Sequence, residues 1–296
     1  TIMKVAIYGQ YYLVSTEPII KDIFVFFNEN NIEMAIEATF LEMLYEKKIV
    51  RKEYKTFSSH SELDSSFDML ISIGGDGTML RAVTLVRNSG VPLLGINAGR
   101  LGFLANVQKE NIAAFMQLVL DKKYTLSKRT LLSLTCSPEN ESILELDFAL
   151  NEVTVSRKDS TSMITIETYL NGEFLNSYWA DGLIVSTPTG STGYSLSCGG
   201  PILTPNVKSL VITPIAPHNL NARPLVVPDE TEIRLRVTGR EEQYLVSLDS
   251  RILSINNNSE LFISKNNFTI NMVEIPNETF FKTLRKKLLW GEDKRN

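Results

Sequence analysis

The chain has 296 residues, enough for about two domains and a sizeable core. With 43% hydrophobic residues, 22% charged residues and a net charge of −4, its composition is that of an ordinary globular protein and gives no electrostatic support for nucleic-acid binding. Two cysteines, Cys136 and Cys198, are too few for a disulfide framework and read as packing residues, and no apolar run approaches the ~20 residues that span a bilayer.

The chain runs directly into Val5-Ala6-Ile7 with no basic region before an apolar stretch, so no signal peptide is expected and the cytoplasm is the expected compartment. Residues 1–126 alternate between the two periodicities. Val5–Tyr8 reads as a strand and Glu17–Asn30 as a helix with Ile20, Phe24 and Phe27 on one face. Glu33–Glu37 is a second strand, Phe67–Ile73 a third, Met79–Asn88 a helix, Val91–Asn97 a further buried strand and Asn111–Asp121 a helix. Strands separated by helical patterns predict a parallel sheet, whose ligands bind beyond the carboxyl ends of the strands.

Two glycine-bearing loops fall at that edge, Gly74–Thr78 and Asn97–Gly102. In the first, the apolar run Met69–Ile73 stops at Gly74-Gly75-Asp76-Gly77-Thr78, and a helix-competent segment follows. Glycines admit a ligand close to the backbone, and a helix start offers unpaired N–H groups to phosphate oxygens. A carboxylate repels phosphate, so Asp76 points to metal chelation or to proton abstraction from a hydroxyl beside the phosphates. The dinucleotide fingerprint fails, because Leu80 stands where a third glycine is needed, and no Gly-Lys-Ser/Thr phosphate loop occurs.

From about Ser127 the period becomes two. Met163–Leu170 and Glu173–Trp179 flank Asn171-Gly172, a type I′ hairpin signal. Thr231–Thr238, Tyr244–Leu248, Leu261–Ile263 and Phe268–Val273 continue the pattern, which predicts a sandwich-like β region. Thr279–Trp290 returns to helix, with Phe281, Leu284 and Leu288 expected on the docking face.

The densest polar run is Asp181-Gly-Leu-Ile-Val-Ser-Thr-Pro-Thr-Gly190-Ser-Thr192-Gly193-Tyr194-Ser195-Leu196-Ser197-Cys-Gly-Gly200. Its hydroxyls and N–H groups suit a phosphate or ribose, and Tyr194 offers a flat face for a base. Upstream, Asn151-Glu152 places an amide beside an acid at a strand start. Together with Gly74–Thr78, Asn97–Leu104, Thr213–His218 and Ala222–Leu225, in this order, these segments resemble the NAD kinase family over nearly the whole chain. Lipid kinases share the glycine turn but, as a family, lack the second set.

The resemblance implies an α/β plus all-β architecture. A Rossmann-like parallel α/β nucleotide-binding domain would occupy 1–126, a β-sandwich-like NAD-binding domain 127–277, and a C-terminal helix within 278–296 would pack back on the first. It implies transfer of the γ-phosphate of ATP to the 2′-hydroxyl of the adenosine ribose of NAD, with Mg²⁺ carried by ATP and a homo-oligomer, dimer or tetramer. Asp76 would be the general base or a metal aid. Gly75, Gly77, Thr78 and Arg81 would face the nucleotides, and Asn151 and Glu152 the adenine end or a ribose. Asp181 would contact the nicotinamide end, Thr192, Gly193, Tyr194, Ser195, Leu196 and Ser197 would line the adenine pocket, and Ala216 would lie nearby. The substrate would then lie where the two regions meet, since Asp76 belongs to one and Glu152 and Asp181 to the other.

The chain departs from the family pattern at Trp179, where many relatives are basic, at Arg251, where a glutamine is common, and near Ser162, where some carry histidine. Arg251 is the expected replacement cation for the dinucleotide. His60 and His218 have no sequence partners that suggest a triad or a zinc site. Two other functions use the same turn: a lipid or sugar kinase, and a non-catalytic NADP-binding sensor.

Overall fold

Runs such as Val5-Ala6-Ile7 and Met69-Leu70-Ile71 have no polar face to offer water, and they become fully buried parallel strands. The computed structural model of the chain describes residues 2–10, 16–105, 107, 112–158 and 162–291. It divides into one unit made of Thr1–Lys128 with Ile270–Asn296 and a second made of Arg129–Thr269.

In the first unit the order is β1 (Lys4–Gly9), α1 (Glu17–Glu29), β2 (Glu33–Glu37), α2 (Ala38–Glu46), β3 (Lys55–Phe57), β4 (Met69–Gly74), α3 (Asp76–Val86), β5 (Leu93–Asn97) and α4 (Ile112–Leu120). The strands pair in parallel in the order β5-β4-β1-β2-β3. Parallel neighbours need long crossovers, and the helices supply them. Ile20, Phe24 and Phe27 of α1 join Phe40 and Leu44 of α2 and Phe115 and Met116 of α4 in one core with Val5, Ile7 and Ile71. Helix α2 and strand β3 were not legible in the sequence: β3 has three residues, two of them exposed, and α2 begins directly at the end of β2. The expected start of α4 at Asn111 lies outside the described residues.

The chain continues through β6 (Thr125–Ser137), α5 (Glu141–Glu145), β7 (Phe148–Ala149), β8 (Glu152–Arg157), β9 (Ile164–Leu170), β10 (Glu173–Ala180) and β11 (Gly182–Ser186). A 3-10 turn (Thr189–Thr192) and the one-turn α6 (Tyr194–Ser197) precede β12 (Ser209–Ile215), β13 (Leu225–Pro228), β14 (Ile233–Thr238), β15 (Gln243–Leu248), β16 (Arg251–Asn256) and β17 (Glu260–Glu274). One antiparallel sheet of the second unit has the order β13-β12-β11-β8-β15-β16. A second pairs β10, β9, β14 and the start of β17, also antiparallel. Val153, Val155, Leu183, Val185, Tyr244 and Val246 from the first meet Ile166, Leu235, Val237 and Leu261 from the second in one apolar core. That is the sandwich predicted by the period of two.

Since side chains alternate along a strand, Glu152, Thr154 and Ser186 face away from that core. Asn171 and Gly172 have φ of 50° and 84°, as a type I′ turn requires. The two strands expected over Leu261–Ile263 and Phe268–Val273 are one continuous strand, β17.

The last element is α7 (Phe280–Leu288), in the first unit. Thr279 caps it by accepting the Lys282 N–H at 3.2 Å. Its docking face differs from the expected one. Thr283 and Leu284 are buried and Phe280 meets Phe103 at 6.1 Å, whereas Phe281 is 60% exposed. Lys287 extends over the Phe103 ring at 5.4 Å. Among the described residues no helix is long and apolar enough to cross a membrane.

Candidate active site

At the carboxyl ends of β4 and β5 the two glycine loops of the first unit meet. Gly75 is the N-cap of α3, and Asp76, Gly77 and Thr78 form its first turn. The Asp76 carboxylate reaches across to the second loop. Its Oδ2 accepts the Phe103 N–H at 2.9 Å, and its Oδ1 accepts those of Leu104 and Ala105 at 3.0 and 3.1 Å. Asn97 shapes that loop, donating from Nδ2 to Arg100 O at 2.7 Å and accepting Gly99 N–H on Oδ1 at 2.7 Å.

A Cβ on Gly102 would overlap the Asp76 carboxylate, and one on Gly74 would overlap Thr78 Oγ1. These glycines are there for close approach, the first to the acid itself. Gly77 and Arg81 are exposed on α3, while Thr78 is buried.

In the second unit, Asn151 and Glu152 lead into β8. Gly190 lies so close to the Asn151 backbone that a side chain there would overlap it. A Cβ on Gly193 would stand 3.3 Å from Glu152 Oε2 and 3.5 Å from Asn151 Nδ2. Burial and the Asp249 carboxylate push the Glu152 carboxyl up to about 8. Glu152 Oε2 and Asn151 Oδ1 are buried side-chain acceptors without a hydrogen-bond partner.

Tyr194, half-exposed, lies within electrostatic reach of Glu152 and Asp181; burial first, then the charges of Cys198, Asp181 and Glu152, raise its phenol above the usual value. Asp181 pairs with Arg157 at 3.2 Å, and its N–H donates to Ile215 O at 3.0 Å, which places Ala216 beside it. Ala216 is exposed at a left-handed φ of 44°. The structure thus brings Asn151, Glu152, Asp181, Gly193, Tyr194 and Ala216 into one neighbourhood. Ser162 is half-buried two residues before β9, whose Ile164 pairs with Ala180.

Several sequence expectations change. Ser195 is fully buried and its hydroxyl is shared with Thr213 at 2.8 Å, so it packs rather than faces a ligand. Thr192 Oγ1 donates to Thr189 O at 3.2 Å, and Ser191 Oγ to Pro188 O at 2.7 Å, so these hydroxyls hold the turn instead of offering themselves to phosphate. Leu196 and Ser197 complete the one-turn α6, half-buried and exposed respectively.

Arg251, expected to meet the dinucleotide, donates to the carbonyl oxygens of Leu146 at 2.7 Å and of Phe148, and lies 5.3 Å from the Phe148 ring. Trp179, 48% exposed, rests on His218 with ring centres 4.4 Å apart. Sequence reading missed Asp249, which accepts the N–H groups of Leu150 (2.9 Å), Asn151 (2.8 Å) and Glu152 (3.2 Å). The available signal was an acid in a hairpin turn, Leu248-Asp249-Ser250, which resembles any polar turn.

Comparison with known proteins agrees with this layout. Residues 13–124 match the model of the ATP-NAD kinase N-terminal domain, and residues 150–275 that of the ATP-NAD kinase C-terminal domain. The chain is 76% identical to an NAD kinase of Flavobacterium johnsoniae over 99% of this chain and 100% of that protein. It is 41% identical to an NAD kinase of Bacteroides fragilis over 99% of this chain and 100% of the relative. Among solved structures, an NAD kinase from Archaeoglobus fulgidus in complex with ATP superposes with a TM-score of 0.75 at 26% identity, covering 97% of this chain and 99% of that one. A yeast NADH kinase complexed with NADH has the same fold, with a TM-score of 0.89 at 23% identity over 99% of this chain and 89% of that one.

Proposed function

Because the chain belongs to the ATP-NAD kinase family, we propose that it transfers the γ-phosphate of ATP to the 2′-hydroxyl of the adenosine ribose of NAD, yielding NADP and ADP. The observation that carries the reading is the state of Asp76. A carboxylate has about four lone-pair sites. Two amides occupy Oδ1 and one occupies Oδ2, so the side chain is held rigidly with one acceptor position left on Oδ2. That position accepts the ribose hydroxyl. As the hydroxyl oxygen bonds to the γ-phosphorus, its proton passes to Asp76 and the bond from phosphorus to ADP breaks. Such transfers depend on positioning and charge neutralisation more than on covalent chemistry.

The other residues bind and orient. Gly75, Gly77 and Thr78 present the first turn of α3 to phosphates, with Arg81 exposed on the next turn. Glu152, with its carboxyl at about 8, is uncharged near neutrality and can donate a hydrogen bond as well as accept one from a ribose or the adenine. Asn151 adds an amide, Tyr194 a ring face, Asp181, paired with Arg157, a contact to the nicotinamide end, and Ala216 lies nearby.

Among the described residues no three His, Cys, Asp or Glu side chains form a group able to hold a metal ion. In this reading the divalent cation is Mg²⁺ carried by the ATP phosphates, where it would neutralise charge. A dimer or tetramer belongs to the same reading and is checked by light scattering.

The test is to incubate the protein with NAD, ATP and Mg²⁺ and to couple NADP formation to an NADP-specific dehydrogenase. Dehydrogenase reduction that requires both substrates is expected. Its absence, or turnover of a diacylglycerol or sphingoid base instead, would overturn the reading.

A further inference from the structure

We propose that the β15–β16 turn is a clamp for the Asn151-Glu152 segment, in which Asp249 and Arg251 act as positioning residues for the acceptor site. The proposal rests on the reading that Asn151 and Glu152 bind NAD. Two side chains, two residues apart, grip one strand entry from both hydrogen-bonding senses. Asp249 accepts the consecutive N–H groups of Leu150, Asn151 and Glu152 at 2.9, 2.8 and 3.2 Å. Arg251 donates to the carbonyl oxygens of Leu146 and Phe148, immediately upstream.

The backbone of residues 146–152 is thereby tied to the hairpin turn by its donors and its acceptors alike. This tie goes beyond the sheet register, in which Leu248 already pairs with Val153. The left-handed φ of 53° at Asp249 turns its side chain back onto that segment; an aspartate adopts this conformation more readily than most residues.

The clamp also sets charge. Asp249 and Glu152 are both buried carboxyl groups on facing elements. Burial is the largest effect on Asp249 and leaves its carboxyl raised on balance, against the pull of three amide donors and the Arg251 guanidinium. Those donors, which Glu152 lacks, make Asp249 the better placed of the two to hold a negative charge. Glu152 has no comparable donors, and burial together with the Asp249 charge favours its protonated form. Among the described residues, Tyr194 of α6 is a further titratable group within electrostatic reach of Glu152. A neutral Glu152 on a fixed stretch of backbone is then available to hydrogen-bond a ribose without repelling phosphates.

The experiment uses the full chain as wild type, Asp249→Asn, Arg251→Ala, Arg251→Lys and Glu152→Gln. Carbon-13 NMR of glutamate carboxyl groups, without substrate, follows Glu152, assigned by its loss in Glu152→Gln. The wild-type signal is expected to titrate near pH 8 and to fall by at least about one pH unit in Asp249→Asn, since a neighbouring like charge has been removed. An unshifted midpoint overturns the electrostatic half.

In steady-state kinetics, Arg251→Ala is expected to lower kcat/KM for NAD by about 10- to 100-fold, the scale of a sub-ångström to 1 Å misplacement, with the KM for ATP moving much less. Arg251→Lys should recover part of the loss. Unchanged NAD constants in Arg251→Ala, or equal losses for NAD and ATP, overturn the positional half even if Asp249→Asn does not fold. A wild type that makes no NADP while Glu152 still titrates as described would remove the proposed function and leave the clamp. Normal NADP formation with an ordinary Glu152 titration would do the reverse.

Discussion

Asp76 must be rigid and still able to take a proton: its three amide donors fix the carboxylate, and the acceptor position left on Oδ2 is where a proton can arrive. Replacing it by asparagine preserves shape but removes the basic oxygen. Asp76→Asn should lower kcat by about 10²–10⁴ while the Kd for NAD stays within a few-fold. A variant that keeps a tenth of wild-type kcat would refute the proton-acceptor role.

Glu152 yields a second residue-level prediction, this time on stability. Its carboxyl sits near 8 in the folded protein against 4.5 ordinarily, so the folded state binds a proton that the unfolded state has released. Folding is therefore disfavoured progressively as pH rises from about 5 to about 8, and the cost is constant above that. Glu152→Gln removes the titration, so its Tm should gain on wild type across that window and be nearly level with it at pH 4. A Tm difference independent of pH would contradict the buried neutral acid.

At the scale of elements, the two glycine loops are useful only when locked together. Gly102 has no side chain because Asp76 occupies its place, so Gly102→Ala must push the acid or the loop aside. Loss of charge-assisted hydrogen bonds of this kind costs ~1.5–3 kcal/mol, and both Tm and kcat should drop. Gly99→Ala, in the same loop, places its methyl in open space and should change stability by no more than ~0.5 kcal/mol. Differential scanning calorimetry of the pair checks the comparison; equal Tm losses would mean that the loop needs glycine for flexibility rather than for room. The polar run after β11 carries a related lesson. Ser, Thr and Gly residues there looked like ligand donors, yet Ser191 and Ser195 spend their hydroxyls on the turn and on Thr213.

For the whole molecule, the proposed function makes NAD a ligand of the folded chain, so NAD should raise its stability. At a concentration 100 times its Kd, a ligand specific for the folded state adds ~2.7 kcal/mol. Thermal melts with NAD should rise accordingly, and melts with a diacylglycerol dispersion should not. A chain indifferent to NAD in this measurement would not fit the kinase.

What the sequence by itself determined were the features written in periodicity and local chemistry. The change from period 3.6 to period two separated an α/β region from a β region, and the hairpin at Asn171-Gly172 followed from two residue types that tolerate its two positive φ angles. The glycine turn before α3 and the Asn151-Glu152 pair were visible because few residue types can do that work at those places. The tertiary structure alone decided what those residues touch. That the Phe103, Leu104 and Ala105 amides hold Asp76, that Asp249 holds Glu152, and that Arg251 braces Leu146 and Phe148 rather than standing open to a ligand are contacts between positions far apart in the chain. No local pattern encodes such pairings, because a backbone N–H or C=O is the same in every residue and only the fold selects which of them meet a given side chain.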